Sequence, residues 1–387
     1  MIRSAILVTA VLAAASGAFL ARHRSAADQG KPPTPATAPP ALQQPAPRPM
    51  PERVQVAGTL FRRADGTAFE WRGITAFRLL EFVASGKEAE AAAYLDWAAK
   101  NQVTVVRVLV MAKHLFPLAP ADGLRALPRL LTLAAERGVY VEVVALADTA
   151  AYAIDLDAHV KAAGAIAAAH TNAFLELANE PFHQTQHPSL NDRETLARLA
   201  ALVPEEVVLA YGADAPESSG GGDYVTVHVS RGEGPWGHVL GLAAGRKWVT
   251  LYGRPVVSDE PIGAAATRQP GRRDNSPERF RAAAVLTRMS GMHATFHYEG
   301  GLHARIPAGV ENACFQAWRE AWTLLPRGIE GGAFSQLEPS KGALFRTELG
   351  DRTWVLGVAG ATLPAGVKPV VTGRESALGF TLLQSFF

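Results

Sequence analysis

Two short stretches of this 387-residue chain end apolar runs on an acid followed by proline. In FLELANEPFHQ, residues 174–184, the run closes on Asn179-Glu180-Pro181, and in PVVSDEPIG, residues 255–263, it closes on Asp259-Glu260-Pro261. Short β-rich apolar runs of this kind read as buried strands, and the proline ends the ladder and fixes the chain's exit. Period-two alternation sets Glu176, Ala178 and Glu180 on one face of the first strand. Two carboxylates facing each other at a common mouth suit hydrolysis of a glycosidic bond. One protonates the leaving oxygen while the other attacks the anomeric carbon. Plainer roles stand beside this one. Glu180 could cap a turn or accept backbone N–H bonds, and Asp259 could be the working acid with Glu260 as its solvated neighbour.

The elements that must hold these acids follow from periodicity. VQVAGTLFRRADGTAFEWRG reads as a hairpin turned at Asp65-Gly66, placed to seal the floor of whatever follows. Strands are predicted at 70–77, 103–110, 140–147, 173–180, 207–213, 224–230, 256–260 and 293–299. Helices are predicted at 87–101, 124–137, 157–169, 192–202, 236–246, 277–290 and 311–324. The stretch ADAPESSGGG between the fifth and sixth strands is a loop. Eight alternating units in this length fit an α/β fold of the (β/α)8 TIM-barrel type, which takes about 250 residues. A doubly wound open sheet is the alternative, but the Gly-rich phosphate loop that many such sheets carry is missing. Glu180 and Glu260 then end the fourth and seventh strands, at the face where barrel enzymes place their chemistry. The division expected is 1–27 an export segment, 28–52 a Pro/Ala-rich linker, 53–326 the barrel, and 327–387 a small β module packed on it.

At this point a family resemblance enters. LELANEP resembles the fourth-strand signature of the retaining glycoside hydrolases of clan A, the superfamily that contains the family 5 cellulases and mannanases. The resemblance implies that Glu180 is the acid/base, Asn179 a ligand of the substrate 2-hydroxyl, and Glu260 the nucleophile. The interval of 80 residues (260 − 180) accommodates the three β units between them. Arg107 in VTVVRVLV resembles the second-strand arginine that keeps the nucleophile ionised, and His228 in YVTVHVS resembles the sixth-strand histidine. Three positions depart from family 5. The third strand ends ALADT without a histidine. The sixth reads His-Val-Ser in place of His-x-Tyr. The eighth carries His297 and Tyr298 in TFHYEGG, where a sugar-stacking tryptophan is usual. The chain is thus similar to a divergent member, and the departures bear on the substrate more than on the acid pair.

Other residues carry two readings each. Arg107 could pair with an interior carboxylate such as Glu142 or Glu176, because buried ions need partners. His228 could be a satisfied core histidine. Phe77, Phe182, Trp236 and Tyr298 lie near strand ends, where aromatic faces could stack on sugars or fill core, with Trp236 the best placed. His183 and His187 are four apart but sit in a Pro-bounded loop with no third ligand, so no metal is expected. No cofactor is expected either.

Composition narrows the classes further. Lys plus Arg total 38 against 36 acids, so no field of one sign favours nucleic acid. The lone Cys314 excludes an internal disulfide. The opening MIRSAILVTAVLAAASGAFLARHR has a positive start, an uncharged run and small residues near Ser16-Gly17-Ala18, the pattern of a signal peptide. An uncleaved membrane anchor is the alternative. Residues 31–51 hold nine of the 26 prolines and read as a semi-rigid spacer. The expected location is therefore secreted, periplasmic or membrane-anchored, with the folded part outside the cytoplasm. The expected partner is a carbohydrate substrate; no protein partner is indicated. A catalytically inactive barrel that binds carbohydrate or envelope components is the competing function.

Overall fold

The computed structural model describes residues 50–213, 220–229, 236–260, 275–326, 328, 331–338 and 342–361, with backbone alone for parts of the rest. Residues 1–49, with the expected export segment and most of the spacer, lie outside the described residues, as do Arg268, Arg272 and Arg273 of TRQPGRRD, which by sequence could meet an anionic sugar or simply be solvated. No described helix is long and apolar enough to cross a membrane.

A hairpin of β1 (Gln55–Ala57) and β2 (Leu60–Arg62) leads into the barrel. The barrel strands are β3 (Arg72–Thr75), β4 (Val105–Leu109), β5 (Tyr140–Leu146), β6 (Ala173–Asn179), β7 (Leu209–Ala213), β8 (Val225–Val227) and β9 (Val256–Ser258). A two-residue β10 (Gly263–Ala264) precedes the eighth barrel strand, β11 (His293–Tyr298), and pairs with it. The parallel order is β7-β6-β5-β4-β3-β11-β9-β8, and β7 packs beside β8, so the sheet curls almost into a closed cylinder. This is the expected (β/α)8 barrel, with each strand within a few residues of its predicted span.

Local chemistry sets the helix starts. Asp155 accepts from Ala158 N at 3.1 Å to cap the helix Leu156–Ala168. Asp192 caps Arg193–Ala200, and Ser276 with Pro277 behind it opens Pro277–Met289. Three described helices escaped the sequence reading, among them the single turn Glu299–Leu302 after β11. Leu79–Ala84 is a single turn and a half after β3, too short for a clear period, and Gly245–Tyr252 continues from the helix expected at 236–246 through a 3-10 turn.

Inside the cylinder the side chains form layers spaced two residues apart along each strand, as alternation requires. The floor is aromatic: Phe61, Phe69, Trp71, Tyr140, Phe174 and Tyr224 form one buried cluster with Val105 and Val257. Phe61 comes from the hairpin and stacks on Trp71 at 5.2 Å between ring centroids, with Phe174 at 5.6 Å and Tyr224 at 5.7 Å edge-on. The hairpin therefore plugs the base, as its position predicted. Two residues further along lie Gly73, Arg107, Glu142, Glu176, Asp259 and Thr295, a polar layer in the middle of the barrel. A Cβ on Gly73 would meet Thr295 Oγ1 at 2.3 Å and Trp71 Nε1 at 2.8 Å, so glycine is what lets the indole reach Thr295.

The C-terminal sheet is antiparallel, ordered β12 (Gly331–Leu337), β13 (Ala343–Leu349), β14 (Arg352–Val358), β16 (Leu378–Ser385) and β15 (Lys368–Glu375). It packs on the helix Pro277–Met289, and Phe345, Trp354 and Leu356 join the main core. Arg246 ties it to the barrel through Gly331 O at 3.2 Å.

Replacing Phe61 by Ala should empty the centre of the floor and cost about 3–5 kcal/mol, read as a lower unfolding midpoint in urea. A change within the ~0.5 kcal/mol typical of surface substitutions would show that the hairpin does not seal the barrel.

Candidate active site

Both acid-Pro stretches deliver their glutamates to the same rim. Asn179 ends β6, and Glu180 follows in a left-handed conformation with φ 46°, from which Pro181 leads the chain away. The turn is held from below by buried Gln186, whose amide donates to Asn179 O and to Leu146 O and accepts from Thr149 Oγ1 at 2.8 Å. On the far side β9 stops at Ser258, leaving Asp259 and Glu260 just past its end. Their side chains diverge: Asp259 is fully buried, whereas the Glu260 side chain keeps 16% of its exposure and faces the mouth. Glu180 is more open, at 35%.

His228 stands between the two glutamates. Its Nδ1 lies 3.0 Å from Glu180 Oε1 and its Nε2 lies 3.7 Å from Glu260 Oε1. One oxygen of each carboxylate and one ring nitrogen of His228 all fall within 4.8 Å of one another. Arg107 reaches Glu260 from beneath, Nη1 to Oε1 at 3.5 Å. The same guanidinium makes a two-pronged bond to Glu176 at 3.1 and 3.0 Å, and its Nη2 donates to Asn179 Oδ1 at 3.0 Å. Both readings of Arg107 are thus realised, with interior carboxylates and Glu260 held together. With Oδ1 of Asn179 occupied, its NH2 group remains as a donor. His297 adds a second imidazole, Nε2 3.8 Å from Glu260 Oε2, oriented by Thr75 Oγ1 on Nδ1 at 3.0 Å.

The sequence-derived candidates separate cleanly. Asn179, Glu180, Arg107, His228, His297 and Glu260 converge. Trp236 and Tyr298 are buried in the main core instead, and the Tyr298 hydroxyl is engaged by Tyr94 at 3.0 Å and by Arg305 O. Phe77 is also buried and lies under the Arg107 guanidinium, 5.3 Å from ring centroid to carbon. His183 and His187 are exposed and bind Thr185 and Ser189 in their own loop. Thr75 was not foreseen; it shares the inward register of Gly73, the only signal it gives. A second close set, Glu142, Glu176 and Asp259, surrounds Arg107, which takes the central place that a metal cation would need.

The charges at the mouth are linked. Burial pushes the Glu180 carboxyl up, but the hydrogen bond and charge of His228 outweigh it and hold the group below its ordinary value, with Glu260 opposing. Burial pulls His228 down, yet the Glu260 charge and the bond and charge of Glu180 raise it above the usual histidine value, with Arg107 opposing. Both directions describe an imidazolium held between two carboxylates.

Comparison with known proteins gives fold relatives. No family model matches the sequence, and no curated protein matches it. Among solved structures, a glycoside hydrolase superposes with TM-score 0.56 at 15% identity, over 80% of this chain and 84% of its own. A glycoside hydrolase of family 5 from Bacteroides vulgatus gives TM-score 0.56 at 12% identity, over 79% and 80%. A β-glucanase from Saccharophagus degradans, solved with cellotetraose, gives 0.54 at 14%, over 72% and 98%. The barrel is therefore the fold that family 5 glycoside hydrolases use, as the resemblance implied.

The ion pair predicts a pH window. His228, raised, contributes stability in full below about pH 6.5, its unfolded value, and loses it as pH climbs through the folded one. Glu180, lowered, contributes above about pH 4.3 and loses it as pH falls through its folded value. In His228→Gln the histidine dependence should vanish and that of Glu180 should reverse, because burial and the Glu260 charge remain and move its titration to higher pH. Carboxyl-carbon NMR reads this directly; an unmoved Glu180 titration would break the assignment.

Proposed function

We propose that the protein is a glycoside hydrolase that cleaves O-glycosidic bonds of a poly- or oligosaccharide with retention, by double displacement, and that it works outside the cytoplasm. One observation carries the reading: glutamates from the ends of β6 and β9 bring a carboxylate oxygen each within 4.8 Å. Retaining pairs stand about 5–5.5 Å apart, whereas inverting pairs need about 6.5–9.5 Å to admit a water.

In this reading Glu260 is the nucleophile. The Arg107 guanidinium at 3.5 Å favours its charged form, and its exposed edge faces the space a sugar would take. Glu180 is the acid/base. A general acid needs a proton at the start, yet the Glu180 carboxyl is held below the ordinary value in the free protein. The proton is instead carried by His228 Nδ1, 3.0 Å from Glu180 Oε1. Transfer along that bond makes Glu180 the acid for the leaving oxygen, and leaves His228 neutral. Once Glu260 is glycosylated and uncharged, Glu180 takes a proton from the attacking water and can return one to the imidazole. The NH2 group of Asn179 is positioned to donate to the 2-hydroxyl, and His297 to steady the second oxygen of Glu260. Export of the chain is supported by its opening residues and by the proline-rich spacer after them.

The rival reading is a barrel that binds carbohydrate without turning it over. The depressed Glu180 value favours it, since a resting general acid is usually tuned upward. A 2-deoxy-2-fluoro glycosyl reagent separates the two. Covalent labelling at Glu260 supports the enzyme, and binding with no adduct supports the rival.

Once a screen of aryl glycosides and polysaccharides has found a substrate, Glu180→Gln should lower kcat by about 10²–10⁴-fold for poor leaving groups. Glu260→Gln should fall to background, and wild-type-like rates in that variant would refute the assignment.

A further inference from the structure

One layer below the mouth the charges do not balance. Arg107 is fully buried and faces four carboxylates: Glu176 at 3.0 Å, Glu260 at 3.5 Å, Glu142 at 3.7 Å and Asp259 at 3.8 Å. Glu142, Glu176 and Asp259 are themselves fully buried. A single guanidinium against four anions would leave a strongly negative interior, a state that buried acids avoid by keeping protons.

The hydrogen bonds show where a proton belongs. Tyr224 donates to Glu142 Oε1 at 3.0 Å, and Thr295 donates to Asp259 Oδ1 at 3.3 Å, its own oxygen accepting from Trp71 Nε1 at 3.2 Å. The remaining oxygens, Glu142 Oε2 and Asp259 Oδ2, are buried and receive no donor. An oxygen of each carboxyl lies within 4.8 Å of one on the other, and Arg107 Nε stands off these two oxygens at 3.7 and 3.8 Å, too far for a hydrogen bond. Two ionised carboxylates cannot donate to each other. One proton shared between them would satisfy both orphaned oxygens at once.

We infer that Glu142 and Asp259 form a proton-sharing carboxyl pair beneath Glu260, a positioning device that leaves the charge of Arg107 to Glu176 and Glu260. Only the naming of Glu260 as nucleophile rests on the proposed glycosidase activity; the proton does not. The groups that face the pair are Arg107 from β4, Glu176 from β6, Tyr224 ahead of β8, Thr295 from β11, and Glu260. Burial first, then the Glu176 charge, push Glu142 up to about 8 against the pull of Arg107. Burial and the Glu142 charge drive Asp259 well upward as well. Tyr224 is raised too, so it stays a donor throughout.

Infrared spectroscopy of the whole protein tests the pair without any substrate. Near neutral pH the wild type should show the C=O stretch of a neutral carboxylic acid, fading as the pH passes about 8. Because one proton serves both residues, Glu142→Gln and Asp259→Asn should each abolish the band. Loss in one variant alone, or in neither, overturns the inference. Should the variants fail to fold, the wild-type titration still decides, since an absent band near neutral pH refutes it. Thermal stability gives a second readout. The folded state holds a proton that the unfolded state releases above about pH 4.3, so this pair makes wild-type stability fall from there to the folded value. In a folded Glu142→Gln the fall should be shallower by one proton, and an unchanged slope counts against the pair. The two ideas fail separately. A band without Glu260 trapping keeps the pair and loses the glycosidase, and trapping without a band does the reverse.

Discussion

A single buried guanidinium organises the site. Arg107 sits in the middle of β4 with no exposure, within 4.0 Å of Glu142, Glu176, Asp259 and Glu260, and it also holds Asn179, the residue before Glu180. Its planar fork binds Glu176 through Nε and Nη2, donates a second proton of Nη2 to Asn179 and turns Nη1 to Glu260. Lysine offers one point charge and could not hold these directions together. Buried ion pairs contribute little net stability on average, and breaking one by removing a partner is costly. What the arrangement secures here is geometry. It couples strands two, four and seven of the cylinder, so the two rim glutamates keep a fixed separation.

The layers around Arg107 explain how that charge is tolerated. Below it, aromatic rings from five different segments close the base and exclude water. The polar tips of two of them, Tyr224 Oη and Trp71 Nε1, reach up to Glu142 and, through Thr295, to Asp259. Phe77 lies on its other side. Hydrophobic floor and ionic middle are thus built from the same strands, with residues two apart serving one layer after the other.

Much of this was legible in the chain. The strands could be read because parallel barrel strands are buried on both faces and appear as continuous apolar runs. A charged residue interrupting such a run has few places to go, which is why Glu176, Glu180, Glu260 and Arg107 stood out. Less legible was the division of labour at Asp259-Glu260. Adjacent strand residues point to opposite sides, but the strand ends at Ser258, so alternation alone does not fix which acid faces the mouth. Trp236 and Tyr298 misled for a related reason: proximity to a strand end fixes depth along the axis, not whether the ring turns inward to the site or outward to the core. The mutual interaction of Glu142 and Asp259 needed coordinates, since they are far apart in sequence and meet through barrel closure.

The plugged base has a consequence for traffic. With Phe61 and its neighbours filling the lower end, water and protons reach the ionic middle from the rim, past Glu180, His228 and Glu260. A ring seated there would act as a stopper, freezing the proton inventory beneath it for as long as it stays bound.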